Sequence, residues 1–407
     1  MDGTISALLL LPRPPSTLSS PNARAAYRPA IEQALKHVNA TKTSRLDIAI
    51  SVPPSWLDGQ EPPRTDAFER AQKALAQTYS LICATAASQQ IELDCLGGVD
   101  VRAFYLLSAP EPAGELADGQ GAEKPFSGPF VDLPTLVESR CAYETLLGVQ
   151  SEEGERLLKS FLVFHQSKHR QSPDCQRVPG GISISQSSNA SPATPTSDKA
   201  HTSVAVGGTF DHLHVGHKLL LTATALLAEP KGSQRNPSQR VHLIIGISGH
   251  NLLTNKRFAA ELENWDERQR RVADFLESVI VFSTPRRESR KLVRINEHSS
   301  TAKYVRVEFD ASLTIDYIEL EDPFGPTISD EALSALVVSQ ETRAGGAAIN
   351  AKRQEKGWTP LDIFEIDVLE VTPMGVEPSV TESSPAAAFE SKISSTEIRR
   401  RIHENKT

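Results

Sequence analysis

Large apolar residues gather in short bursts at the start of the chain, almost vanish between 166 and 201, and then return in a regular alternation. In the first region the apolar runs at 6–11 and 46–51 predict strands, and residues recurring at helical spacing predict helices over 29–38 and 66–88. Runs at 91–95 and 99–107 suggest further strands, and a helix is expected at 152–164. Pro29 suits a first helical position, where its missing N–H costs nothing. Between 166 and 201 Ser, Pro, Gln, Asn and Thr crowd out the large apolar side chains. Such a composition cannot bury enough surface to offset the entropy of ordering, so it predicts a disordered linker.

Beyond that stretch strands are expected at 203–207, 240–247, 304–309, 335–339 and 363–371. Helices are expected at 214–228, 266–276 and 342–356, with a short one from Asp330 and a last one from Thr396. Strands separated by helices of this length imply crossovers and a parallel sheet. The expected fold class is therefore α/β: a Rossmann-like, doubly wound parallel sheet in the C-terminal part, with a separate N-terminal α/β region. The expected division is 1–165, a linker over 166–201, and 202–407. The segments 284–302 and 372–392 interrupt the alternation and read as mobile surface loops.

Composition narrows the class. The 407 residues exceed one ordinary domain, and 39% hydrophobic with 23% charged residues is the balance of a soluble globular protein. The apolar runs are too short to cross a bilayer, so no membrane partner is expected. An acid stands near the start where a signal peptide would be basic, and 8–11 reads as a buried strand instead. A net charge of −8 gives no electrostatic case for nucleic acid. The basic cluster at 286–291 reads as solvated loop. Cys83, Cys95, Cys141 and Cys175 have no C-x-x-C spacing, so neither a zinc site nor a disulfide framework is indicated. A reducing compartment is expected, the cytoplasm with the nucleus as alternative.

The chemistry concentrates in VAVGGTFDHLHVGHKLLL, residues 204–221. A strand ending in glycines can turn tightly and let a ligand approach its backbone. His214 and His217, three apart at a helix start, share one side beside N–H groups that lack helical partners. That end is an anion site. Two imidazole donors there would hold a polyphosphate and the charge that develops on a pentacoordinate phosphorus, with Gly216 leaving room for the nucleotide. The motif is neither G-x-x-x-x-G-K-[ST] nor the dinucleotide fingerprint, whose third glycine is absent. A zinc set of His212, His214 and His217 lacks the thiol or carboxylates to complete it.

The string GGTFDHLHVGH resembles the T-x-F-D-x-x-H-x-G-H signature of the HxGH nucleotidyltransferase superfamily. GISGHNLLTNK (246–256), EDPFGPTISDEALSALVVSQETRAGGAAIN (321–350) and ISSTEIRRRI (393–402) are together similar to eukaryotic phosphopantetheine adenylyltransferase, of the fungal, monofunctional kind. The similarity runs from about 203 to 402. It implies a nucleotidyltransferase fold and the reaction of ATP with 4′-phosphopantetheine to give dephospho-coenzyme A and pyrophosphate. Mg²⁺ would accompany the ATP, and other enzymes of coenzyme A synthesis are the implied protein partners. Animal relatives carry a fused kinase whose phosphate-binding lysine loop is not found here.

By resemblance His217 stabilises the pentacoordinate α-phosphate and His214 grips the ATP phosphates, within a nucleotide-binding turn of Gly208, Thr209, Phe210, Asp211 and Gly216. Thr209 would bond the incoming phosphate and Asp211 orient the turn. Lys256 falls where the family places a lysine on the transferred phosphoryl group. Ser394, Ser395 and Thr396 fall where it holds the β- and γ-phosphates, although hydroxyls at a helix start are also ordinary caps. Arg343 lies in the region where relatives place an arginine on ATP, one position earlier than in some animal sequences. Arg399 has two readings, reaching phosphate or favouring its helix. The alternatives are a cytidylyltransferase or an adenylyltransferase acting on nicotinamide mononucleotide, and a non-catalytic nucleotide-binding scaffold. The R-T-x-G-I-S-T-T ending of cytidylyltransferases is altered here to ESKISSTEIR, and a scaffold would be marked by loss of a motif histidine. The N-terminal region offers no nucleotide loop, metal cluster or nucleophile setting, and His37 reads there as a helix-surface or packing residue rather than a ligand.

Overall fold

The computed structural model describes residues 6–15, 20–41, 44–56, 64–93, 98–108, 128–140, 143–169, 173–182, 199–229, 240–282, 290–294, 303–309, 312–367, 369 and 394–406. The chain forms two compact units: 1–62, 69–196 and 278–285 make the first, and 63–68, 197–277 and 286–407 the second.

The first unit holds β1 (Ser6–Leu11), α1 (Ser20–Thr41), β2 (Arg45–Val52), α2 (Arg64–Ser88), β3 (Asp100–Leu107), β4 (Phe130–Asp132), α3 (Leu133–Ser139), β5 (Thr145–Gln150), α4 (Glu152–Lys168) and β6 (Asp174–Pro179). Its six strands are all parallel in the order β4-β3-β2-β1-β5-β6. A central parallel strand is covered on both faces, which is why β1 is an unbroken leucine run and wholly buried from Ala7 to Leu11. One carboxylate lies inside: Asp47 of β2, fully buried, accepts from Arg45, from Arg140 and from the Tyr143 hydroxyl at 2.6–2.7 Å. Burial alone would raise its pKa, but the two guanidinium groups hold it below the usual carboxylate value.

Three expectations are corrected in this unit. Pro29 does not open a helix but sits inside α1. It cannot donate to the Ala25 carbonyl, and the N–H of Ile182 does so instead at 3.1 Å. That bond belongs to a segment expected to be disordered. Within 166–201 the structure has the end of α4 and all of β6, whose ladder with β5 satisfies a backbone that its side chains could not have ordered alone. The expected strand at 91–95 reduces to a single bridge between Leu93 and Val99, with 94–97 outside the described residues.

The second unit contains β7 (Ser203–Gly208), α5 (Val215–Leu227), β8 (Val241–Ser248), α6 (Trp265–Ile280), β9 (Arg290–Arg294), β10 (Tyr304–Phe309), β11 (Leu313–Leu320), β12 (Ala335–Val338), α7 (Arg343–Glu355), β13 (Asp362–Glu365) and α8 (Ser395–Lys406). The order is β13-β12-β7-β8-β11-β10-β9, parallel from β13 to β11 and antiparallel over β10 and β9. β10 was expected to follow a crossover. Its burial alternates instead, as in a strand with one wet face, and it forms a hairpin with β11, a strand the periodicity did not separate from its surroundings. β9 occupies part of the basic cluster read as loop, and the rest of 284–302 lies outside the described residues.

No helix starts at Asp330. Its carboxylate takes the Ala332 N–H, and the carbonyls of Thr327, Asp330, Glu331 and Leu333 are all claimed by the fully buried guanidinium of Arg353 in α7. β13 ends at Glu365, and 372–392 lies outside the described residues. Ala205, Ile244, Leu336, Val338 and Ile349 form a core between this sheet and α7, with Phe324 against it. The chain runs from β7 to β8 and β11 on one side and returns to β12 and β13 on the other. Such a reversal opens a crevice at the carboxyl end of the central strands, and β7 ends there in Gly207 and Gly208. Among the described residues no helix is long and apolar enough to cross a membrane.

Candidate active site

His214 is the N-cap of α5, in extended backbone conformation, and its Nδ1 accepts the Gly216 N–H at 3.2 Å. An accepting Nδ1 places the ring proton of the neutral imidazole on Nε2, leaving that atom a donor. The His217 ring stacks on it with centroids 3.9 Å apart and 23° between planes. Both rings are half-buried, and Nδ1 of His217 is buried without a partner. Burial, then the charge of Lys218 behind the cap, pull the His214 pKa down to about 3. Burial and the neighbouring His214 hold His217 well below the usual histidine value. The pair is therefore neutral across the physiological range: two imidazoles acting as hydrogen-bond groups rather than as cations.

The turn that delivers them is strained. Phe210 and His212 both adopt left-handed backbone angles, φ 50° and 46°, which cost a non-glycine residue about 1 kcal/mol or more each. Phe210 is fully buried with its edge towards His217, 5.4 Å between centroids. A Cβ on Gly208 would come within 2.9 Å of the Phe210 ring, so only glycine fits there without displacing it. Gly216 is close to the His214 ring in the same way, at 3.2 Å.

What holds the strain is the loop before α6. The Asp211 carboxylate accepts the Glu263 N–H at 2.9 Å, and the Glu263 carboxylate accepts the His212 N–H at 2.8 Å. The His212 ring pairs with the Glu261 carbonyl at 2.8 Å, so it is committed to this loop and does not join the other two histidines. Among the described residues no group of three or more His, Cys, Asp or Glu is placed to hold a metal ion. Arg268 donates to the carbonyls of Glu263, Thr209 and Ser248 at 3.0, 2.7 and 2.9 Å.

α8 docks on the same turn. The Ser395 hydroxyl donates to the Asp211 carbonyl at 2.8 Å, and the Ser394 hydroxyl caps the helix through the Glu397 N–H. Arg399, 1% exposed, donates to the Asp211 carboxylate, to the Arg257 carbonyl and to the Thr396 hydroxyl. These bonds agree with the reading in which Arg399 supports its own helix. Its guanidinium ties α8 to the motif turn through the Asp211 carboxylate and the Arg257 carbonyl. The structure thus brings the turn of Gly208, Thr209, Phe210 and Asp211, the α5 start with His214, Gly216 and His217, and the α8 start with Ser394, Ser395 and Thr396 together.

Two further expected residues are exposed. Lys256 is exposed on the loop after β8. Arg343, at the start of α7, is exposed and makes a two-pronged pair with Glu365 of β13 at 2.6 Å, so its fork faces a carboxylate of its own chain. Glu263 and Arg268 were missed by the sequence reading. Their signal was present: along α6 the buried stripe Trp265, Arg268, Val272, Leu276 has an arginine in an apolar place, which only a demanding set of acceptors can satisfy.

Residues 1–184 match the model of a domain of unknown function, DUF8446. The chain is 34% identical over 165 residues to an uncharacterized protein of Schizosaccharomyces pombe, covering 40% of this chain and 39% of that one. It is 32% identical over 196 residues to a phosphopantetheine adenylyltransferase of Saccharomyces cerevisiae, covering 48% and 47%. It is 28% identical over 163 residues to a phosphopantetheine adenylyltransferase of Methanopyrus kandleri, covering 40% and 76%. The matches thus span less than half of either yeast relative.

Proposed function

We propose that the second unit transfers the adenylyl group of ATP to 4′-phosphopantetheine, giving dephospho-coenzyme A and pyrophosphate. The observation that carries this reading is the stacked, neutral imidazole pair at the N-terminus of α5, at the switch point of a largely parallel sheet. The names of the relatives supply the substrate.

In this reaction a phosphate oxygen of phosphopantetheine attacks the α-phosphorus, a new P–O bond forms, and the bond to the bridging oxygen breaks to release pyrophosphate. The nucleophile is already an anion near neutral pH, so the site needs neither a strong base nor a covalent intermediate. What remains is alignment and stabilisation of charge. His214 offers its Nε2–H to the triphosphate at the positive end of α5. His217, stacked behind it with unspent hydrogen-bonding capacity, serves the pentacoordinate phosphorus. Neutral donors suit this task because their strength does not change as pH moves through the physiological range. The N-terminus of α8 offers the Ser394 and Thr396 region to the outer phosphates, and Lys256 closes over them from its exposed loop.

Mg²⁺ enters this scheme as a counter-ion of the triphosphate. The motif carboxylate, Asp211, has its oxygens engaged by Glu263 and Arg399, so it does not fit the role of a metal ligand and no step is routed through a protein-held metal. The test is pyrophosphate release by the full chain with each of ATP and CTP, against phosphopantetheine, glycerol phosphate and nicotinamide mononucleotide. Release confined to ATP with phosphopantetheine is expected. Equal release with CTP and glycerol phosphate, or none with any pair, refutes the assignment.

A further inference from the structure

We propose that Arg268 is a positioning residue of this site: its buried guanidinium fixes the turn 209–212 that aims the histidines, and it sets an immobile positive charge where the strands end. The proposal rests on the adenylyl-transfer reading.

Arg268 is 2% exposed, and its three acceptors come from three segments. Ser248 ends β8, Thr209 follows β7, and Glu263 precedes α6. One planar fork therefore ties together the two strand ends that flank the crevice and the loop that holds the strained turn. Thr209 is the residue immediately before left-handed Phe210, so the bond to its carbonyl fixes the point from which the strain begins. A lysine could not reproduce this, because an ammonium is a point charge without the fork.

The charge is as informative as the geometry. Arg268 hydrogen-bonds only carbonyl oxygens, while Asp211 pairs with Arg399 and Glu263 with Arg271 at 2.8 Å; burial holds the Arg268 pKa below its usual value although Asp211, Glu263 and Glu319 pull it up through space. Burying an arginine with no carboxylate in hydrogen-bond contact is costly even where carboxylates act on it from a distance, and the remaining cost is offset where an anion arrives beside it. Arg353 provides the contrast. It too is buried against carbonyls, but those lie in the connection from β11 to β12 and in the segment before β13, none of them in the motif turn. Arg353 organises a loop, whereas Arg268 organises the turn that carries the chemistry.

The experiment uses the full chain with Arg268→Lys, Arg268→Gln and, as a control on the exposed side of the same helix, Arg270→Gln. Three quantities are read: kcat and KM for adenylyl transfer, the ATP dissociation constant from equilibrium titration, and the ring ¹⁵N shifts of the histidines without any substrate. Arg268→Lys keeps the charge and loses the fork, so kcat falls by about 100-fold, as expected for groups displaced by about an ångström, while ATP binding changes by no more than about threefold. Arg268→Gln keeps some carbonyl bonds and loses the charge, so ATP binding weakens by about tenfold as well. In both, the His214 ring loses its Nε2-protonated pattern, and Arg270→Gln matches the parent throughout. A purely structural arginine would lower the melting temperature without splitting kcat from ATP binding in this way. Should Arg268→Lys fail to fold, Arg268→Gln carries the same readings. The proposal is overturned if the parent is active and Arg268→Lys keeps kcat within about threefold, or if the His214 ring pattern is unchanged in the variants. A parent that transfers no adenylyl group refutes the assigned reaction instead, and the ring pattern still decides the role of Arg268.

Discussion

Replacing Asp211 by asparagine should release α8 from the site before it unfolds the second unit. Asp211 is fully buried and Arg399 is 1% exposed, so the pair is shielded from screening. Asparagine keeps the shape and can still accept the Glu263 N–H, but it leaves the Arg399 guanidinium buried with only the Arg257 carbonyl and the Thr396 hydroxyl. Removing one partner of such a pair costs about 3–5 kcal/mol. A unit of this size is stable by about 5–15 kcal/mol, so undocking of the twelve-residue α8 is the cheaper escape. Hydrogen exchange across 394–406, followed by mass spectrometry, should show protection falling by about 100-fold or more while β7 and β8 keep theirs. Arg399→Met combined with Asp211→Asn should recover part of the loss, with a coupling of about 2 kcal/mol between the two sites. If the two substitutions are additive and α8 exchange is unchanged, the ion pair does not anchor the helix, and the account of Asp211 given above is wrong.

The histidine pair and the helix start give the remaining expectations. His217→Ala should lower kcat by about 100-fold or more with the melting curve intact, and near-normal turnover in a folded variant would remove its assigned role. Ser395→Ala should raise the KM for ATP only severalfold, because the N–H groups of α8 remain; a loss as large as that of His217→Ala would contradict the division of labour. Because folding holds both imidazoles neutral, the unfolded chain binds protons that the folded one refuses once pH drops below the ordinary value of 6.5. Stability measured by denaturant titration should be flat above that point and decline towards pH 3, by at most about 1.4 kcal/mol per pH unit for each ring, and the residual solvent access of the rings should place the observed slope below that ceiling. A slope that rises on acidification would mean the rings are cations in the folded protein.

Features fixed by neighbouring residues were legible in the sequence, and features fixed by distant ones were not. Glycines at a strand end, followed by two histidines at helical spacing, specify local geometry through local rules, so β7 and the start of α5 could be read without a structure, although His214, expected as the first helical residue, turns out to be the cap. The leucine run of β1 was equally plain, since a strand buried on both faces needs no partner pattern to announce itself. What stayed hidden depends on acceptors supplied from far along the chain. The role of Arg399 is set by a carboxylate 188 positions away, that of Arg268 by carbonyls up to 59 positions away, and the order of β6 by its ladder with β5. Composition weighed β6 as linker because it counts side chains, whereas that strand is held mainly by its backbone.

The same asymmetry explains why the catalytic reading and the supporting framework separate so sharply in this fold. A donor that meets a ligand must sit at a chain position where backbone geometry aims it, so its surroundings are local and its motif is short. A residue that keeps such a donor aimed can lie anywhere, provided the fold brings it under the turn, and it leaves no motif beyond a polar residue in an apolar stripe. Phe210 and His212, left-handed without glycine, mark where that hidden support must be applied. Asp211 meets it from α8 and Thr209 from α6, one on either side of Phe210, which is why loosening either anchor should misdirect the same two imidazoles.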